Sequence, residues 1–162
     1  MKLPALEGNV LIFGIGNILK GDDGAGCEAI KRLKIVIASN LKKVILLDCG
    51  IAPENYTKEI KELKPETIIF VDAVEMKEKP GIVKIIDEKE ITSYYFTTHN
   101  MPLNLFIDYI KSETKAKVIF IGIQPESTHF GEGLSAPVQK AIDKLVKWGR
   151  RKWGRRKGKR KE

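Results

Sequence analysis

The chain has 162 residues, 43% of them hydrophobic, with modest glycine and proline, which suits one compact domain and excludes a disordered polypeptide. No apolar run approaches the roughly 18 residues of a membrane-spanning helix, and the opening MKLPALEGNVLIF lacks the cleavage site of a secretory signal, so a cytoplasmic protein is expected. The net charge of +8 is concentrated. Residues 147–162 carry ten basic side chains and one acid, and removing these from the 29 basic and 21 acidic residues of the chain leaves 19 and 20 in residues 1–146. A near-neutral domain over 1–147 with a basic tail at 148–162 is the expected organisation.

Residues 10–13 form a short β-branched and aromatic run ending at Gly14, and read as the first strand. Residues 14–17 and 21–24 are turns. From Asp22 a helix is predicted, with Cys27, Ile30 and Leu33 at helical spacing and acids in its first turn, where they suit the helix dipole. A second strand covers 44–48 and ends at Cys49-Gly50. Pro53 and Glu54 open a short helix containing Ile60 and Leu63, with Pro65 beyond its end. Residues 67–71, TIIFV, are continuously apolar, as in a central strand covered on both faces, and that strand is expected to stop at Asp72.

Pro80-Gly81 makes a turn into an edge strand at 82–86, and residues 97–100 are a loop. Pro102 sits at a helix start, after which Leu103, Phe106, Ile107 and Ile110 form an i, i+3, i+4, i+7 stripe. Residues 117–121 are another buried strand, leading to Gly122-Ile123-Gln124-Pro125-Glu126. Ser135 is placed to cap a last helix whose apolar face holds Val138, Ala141, Ile142, Leu145 and Val146. Alternating strands and helices predict an α/β fold, a three-layer α/β/α sandwich around a twisted, mostly parallel sheet of about five strands. In such sheets the functional crevice lies beyond the carboxyl ends of the strands. The unusual polar residues stand there: the loop 14–23, then Asp48 to Gly50, Asp72 and Gln124.

The glycine-rich first loop does not suit a nucleotide. The third position of a GxGxxG fingerprint is Leu19, and Asp22-Asp23 stand where a phosphate loop needs Lys and Ser or Thr. Two carboxylates at a helix start repel a phosphate but can bind a cation. Asp23 and Asp72 should converge on one sheet edge, and His99, one of two histidines, lies in a polar loop. Two carboxylates and one imidazole suit a divalent transition metal with coordination positions left open. The plainer alternatives are that Asp22 or Asp23 caps a helix, Asp72 caps a turn and His99 is structural. Cys27 and Cys49 form no CxxC pair and read as buried, reduced thiols. Neither GxSxG nor HExxH occurs, and a Cys27–His99 dyad has nothing in its favour.

Five blocks in order, GIGNILKGDDGAG (14–26), LLDCGIAPEN (46–55), IIFVDAVEM (68–76), TTHNMPLN (97–104) and IFIGIQPE (119–126), make the chain resemble the [NiFe] hydrogenase maturation endopeptidases, nearest to the HycI type. The resemblance runs from about residue 8 to residue 147. It implies a protease that removes the C-terminal extension of a nickel-loaded hydrogenase large-subunit precursor. The family's metal-binding positions fall on Asp23, Asp72 and His99, its catalytic carboxylates on Asp23 and Asp72, and its substrate-recognition block on Asp48, Cys49 and Gly50. The resemblance also implies that the nickel comes with the substrate, and because two carboxylates and one His make a weak, open site, the protease alone is expected to hold little metal. Either a metal-bound hydroxide or a carboxylate base such as Asp23 would activate the water.

Two other readings compete with this one. A non-catalytic nickel chaperone could use the same three residues. A GxGN turn with a THN-like loop also occurs in peptidyl-tRNA hydrolase, but there the motifs lie within about ten residues, whereas Asn17 and His99 are 82 apart. The tail repeats WGRRK at 148–152 and 153–157 and reads as a solvated helical extension able to contact anionic surfaces or nucleic acid non-specifically. Deleting 148–162 is expected to leave cleavage intact.

Overall fold

Residues 6, 8–37, 43–96 and 103–154 are described by a computed structural model of the chain. Strands β1 (Val10–Ile15), β2 (Val44–Gly50), β3 (Thr67–Glu75), β4 (Val83–Ile86) and β6 (Lys117–Ile123) form one sheet in the order β2-β1-β3-β6-β4. All neighbours are parallel except β4, which runs antiparallel to β6. A two-residue strand, β5 (Tyr95–Phe96), pairs antiparallel with the end of β3 at Val74 and Glu75. The mostly parallel sheet expected from the sequence is therefore present, with β4 as its antiparallel edge.

Strand alternation sorts the core into two layers. Val10, Ile12, Ile69, Val71, Ile119 and Ile121 face helices α1 (Ala25–Val36) and α4 (Ala136–Trp153), which supply Ile30, Leu33, Val138 and Ile142. Leu11, Phe13, Ile68, Phe70 and Phe120 face α2 (Thr57–Leu63) and α3 (Leu103–Glu113), which supply Ile60, Phe106, Ile107 and Ile110. Phe13, Phe70 and Phe120 are in register across three strands and stack at centroid distances of 5.2 and 5.7 Å. Such pairs add about 1 kcal/mol each beyond their burial, which favours this register over its neighbours.

Three local readings change. The helix predicted from Asp22 begins as a tight 3-10 turn, Gly21–Gly24, and becomes α-helical only at Ala25. The strand expected to stop at Asp72 runs on to Glu75, because β6 continues the ladder through Asp72↔Gly122 and Ala73↔Ile123 and β5 then pairs with Val74 and Glu75. Ser135 occupies the N-cap position of α4, but its hydroxyl is not used for capping. It donates instead to Asp22 Oδ2 at 2.8 Å.

Helix α4 continues through residue 148, where the tail was expected to start, to Trp153. Trp148 and Trp153 meet edge to face at 5.0 Å and pack against the α1–α4 layer, and Gly154 bridges Ile37. Gly149 is buried: a Cβ there would lie 2.4 Å from Leu33 Cδ2. Ending the chain after Gly154 keeps the whole of α4 and both indoles and is the reference truncation. Ending it after Lys147 removes both indoles and should cost about 3 kcal/mol, read as the difference in urea midpoints between the two truncations. No helix among the described residues is long and apolar enough to cross a membrane.

Candidate functional site

The site is built by glycines that let the first helix start directly on the sheet. A Cβ on Gly26 would lie 2.2 Å from the Val71 carbonyl and 2.3 Å from that of Ile15, and one on Gly14 would lie 2.3 Å from the Gly26 carbonyl. With hydrogens there instead, the turn carrying Asp22 and Asp23 is pressed against β3 at the residue preceding Asp72. Gly16, at φ +147°, closes the other side. A side chain on it would collide with the Asp23 carbonyl, 1.8 Å from the Cβ position. Asp23 and Asp72 thus approach the same end of the sheet from different elements, as their sequence positions suggested. By alternation Asp72 lies on the strand face of Ile68 and Phe70, toward α2 and α3.

Asp22, Asp23 and Asp72 are each 0% exposed. Burying a carboxylate is costly without compensation, and the two neighbouring aspartates resolve this differently. Asp22 is saturated. Its Oδ2 accepts from Glu126 N (2.8 Å), Ser127 N (3.2 Å) and Ser135 Oγ (2.8 Å), and its Oδ1 from Ser135 N (2.7 Å). Asp22 N in turn donates to Ser127 O at 2.9 Å. This residue ties the first loop to the segment between β6 and α4. Asp23 and Asp72 also make contacts, yet Asp23 Oδ2 and Asp72 Oδ1 are buried oxygens to which no described residue donates a hydrogen bond.

The block Asp48 to Gly50 lies at the same edge. Gly14 pairs with Asp48 and Ile15 with Gly50, so Cys49 is the extra residue of a bulge. Asp48 is exposed, and its Oδ1 accepts from Gly50 N at 3.2 Å while its carbonyl accepts from Tyr56 Oη at 3.0 Å. Gly50, at φ +55°, has open space where a Cβ would stand, and its carbonyl accepts from Gly16 N at 2.8 Å. His99 lies outside the described residues, and among the described residues no group of three His, Cys, Asp or Glu side chains is placed to hold a metal ion. Gln124, noted in sequence only for its position, is a buried bracket. Its Oε1 accepts from Met76 N and Glu78 N at 2.7 and 3.2 Å, and its Nε2 donates to Glu75 Oε2 at 3.0 Å.

Both cysteines are buried and unbridged, as expected. Cys27 Sγ donates to Gly16 O at 3.4 Å. Burial pushes the Cys27 thiol up, reinforced by the hydrogen bond and negative charge of Asp48. Burial likewise raises Cys49, helped by Cys27 and Asp48. Neither thiolate is available as a nucleophile at neutral pH. Because the folded state favours the neutral thiols, their contribution to stability is complete below the ordinary value of 9.0 and is lost as pH rises above it. Native protein at pH 8 should resist iodoacetamide while denatured protein takes up two equivalents, counted by intact mass.

Residues 27–151 match the model of the HycI hydrogenase maturation protease family. The chain belongs to that family. It is 38% identical over 134 residues to the hydrogenase 3 maturation protease of Escherichia coli K12, covering 82% of this chain and 83% of that protein. The crystal structure of the [NiFe] hydrogenase maturation protease HycI from Thermococcus kodakarensis superimposes with a TM-score of 0.79 at 33% identity, covering 87% of this chain and 89% of the other. The solution structure of the E. coli endopeptidase HycI gives 0.76 at 35% identity, with 88% and 89% covered. As a hydrogenase maturation protease the chain is a hydrolase, and the peptidyl-tRNA hydrolase and non-catalytic alternatives fall away. The family match extends through Arg151 and so includes most of the described end of α4.

Proposed function

We propose that this protease removes the C-terminal extension of a [NiFe] hydrogenase large-subunit precursor, and that it selects the precursor already loaded by reading its nickel. The observation that carries the reading is the pair of fully buried carboxylates, Asp23 and Asp72, brought to one sheet edge from the first loop and the central strand. Carboxylate oxygens with one imidazole, assigned to His99 by its place in the TTHN block, form a donor set that suits Ni²⁺ and leaves positions for the substrate's own ligands. The nickel is part of the substrate, and its role is to fix which peptide bond lies over the site. Both carboxylates are closed to solvent, so the precursor opens a path to them as it docks. Weak metal binding by the protease alone follows.

Hydrolysis bonds a water oxygen to the scissile carbonyl carbon, breaks the C–N bond and leaves the proton on the released amine. Asp23 is the group we assign to take the water's proton and return it. Asp72 and His99 orient the substrate, and the exposed Asp48 with the uncovered backbone at Gly50 receives the chain flanking the cut. The active compartment is the cytoplasm, where the precursor is made.

The test is to mix purified protease with nickel-loaded and nickel-free precursor and follow precursor mass. A loss equal to the C-terminal extension, confined to the loaded form, is expected. Equal cleavage of both forms would remove nickel reading, and no cleavage of either would remove the assignment of substrate.

A further inference from the structure

Beside the carboxylates the surface is apolar in a way the catalytic reading does not use. Ile18, Leu19 and Phe130 are 70%, 64% and 72% exposed, and they come from two separate loops. The loops are joined. Gly131 N donates to Leu19 O at 3.0 Å, and the Lys20 ammonium sits 5.5 Å from the Phe130 ring centre. The first loop is also held from within, since Asn17 Oδ1 accepts from Leu19 N at 3.0 Å and Asn17 O from Lys20 N at 3.1 Å. The second is held by the four donors that converge on Asp22. The patch is continuous with the site, because a Cβ on Gly24, the residue after Asp23, would lie 2.9 Å from Ile18 Cα.

Large apolar side chains fixed on a hydrogen-bonded frame lose little conformational freedom when covered, which is the property of a docking surface. We propose that Ile18, Leu19 and Phe130 form the docking surface for an apolar segment of the folded precursor adjacent to its cleaved bond. The inference rests on the proposed substrate. The choice of occupant follows from position: Ile18 abuts the turn bearing Asp23, so a precursor seated with its scissile bond at that carboxylate has the patch beside it. Docking there secures the precursor before the buried carboxylates are reached, so the patch governs capture and not the chemical step.

Four proteins decide it: wild type, the double variant Leu19→Asp/Phe130→Asp, the single variant Phe130→Ala, and Ile35→Asp as a control. Ile35 is 80% exposed near the end of α1, away from the site. With nickel-loaded precursor the double variant should raise KM at least tenfold and keep kcat within twofold, while the control matches wild type. Phe130→Ala, which adds no charge, should raise KM about threefold and guards against a folding defect in the double variant. An unchanged KM in both patch variants, or a loss confined to kcat, overturns the docking surface while wild-type cleavage leaves the substrate assignment standing. No cleavage by wild type overturns both. Concentration-dependent self-association of the protease that disappears in the double variant would assign the patch to a second copy of this chain instead.

Discussion

Asp23→Asn and Asp72→Asn are each expected to reduce cleavage of the loaded precursor at least a hundredfold while leaving the melting temperature at or above that of the wild type. The two halves of this expectation have different origins. Activity falls because an amide neither accepts a water's proton nor supplies an anionic oxygen to a cation. Stability holds because asparagine matches the shape of aspartate and keeps an acceptor oxygen for the contacts these side chains make, while removing a carboxylate whose burial is costly. Single-turnover cleavage followed by mass, beside a thermal melt of the same preparations, reads both. An active Asp72→Asn enzyme would mean that this carboxylate is structural. His99→Ala should behave like Asp72→Asn in the cleavage assay, and normal cutting by that variant would take His99 out of the site.

The sequence carries the sheet and its helices because the relevant signals are local. TIIFV is short, β-branched and continuously apolar, the pattern of a doubly covered strand, and the stripe Leu103, Phe106, Ile107, Ile110 buries just those four positions of α3. The end of β3 was not legible, because Asp72 breaks the hydrophobic run without breaking the ladder. What keeps it in the sheet is pairing with Gly122, a partner 50 residues away that no local window contains. The role of Ser135 is hidden from a local window for the same reason. As an N-cap its pattern is sound, but the tertiary acceptor, Asp22, outcompetes the local one. Gly14 and Gly26 were visible only as glycines in a loop and a helix. Their purpose is a backbone approach between helix and strands, which has no signature in periodicity.

The pair Asp22-Asp23 shows most clearly where local reasoning stops. Adjacent residues of a 3-10 turn project about a third of a turn apart, so only one of them can face a given site. The sequence therefore implies two jobs but cannot assign them, because the partner of one is a loop more than 100 residues later. The structure makes the assignment testable by contrast. Asp22→Ala should cost about 4 kcal/mol, since it leaves three backbone N–H groups and a hydroxyl to find water in a place where the carboxylate is 0% exposed. Asp22→Asn should cost about half as much, roughly 2 kcal/mol. Its oxygen can serve Glu126, Ser127 and the Ser135 hydroxyl, but its amide nitrogen must then face Ser135 N, donor against donor. Urea denaturation of the two variants checks this order. A functional consequence accompanies the structural one. With one of its four contacts to the segment after β6 turned repulsive, Asp22→Asn loosens that segment and with it Phe130 beside Leu19, so in cold, folded Asp22→Asn the precursor's KM should rise before kcat falls. The same substitution one residue later, at Asp23, should give the reverse, with stability kept and catalysis lost. If instead both asparagine variants destabilised equally, the division of labour between these neighbouring carboxylates would be wrong, and the turn would have to be treated as one structural unit.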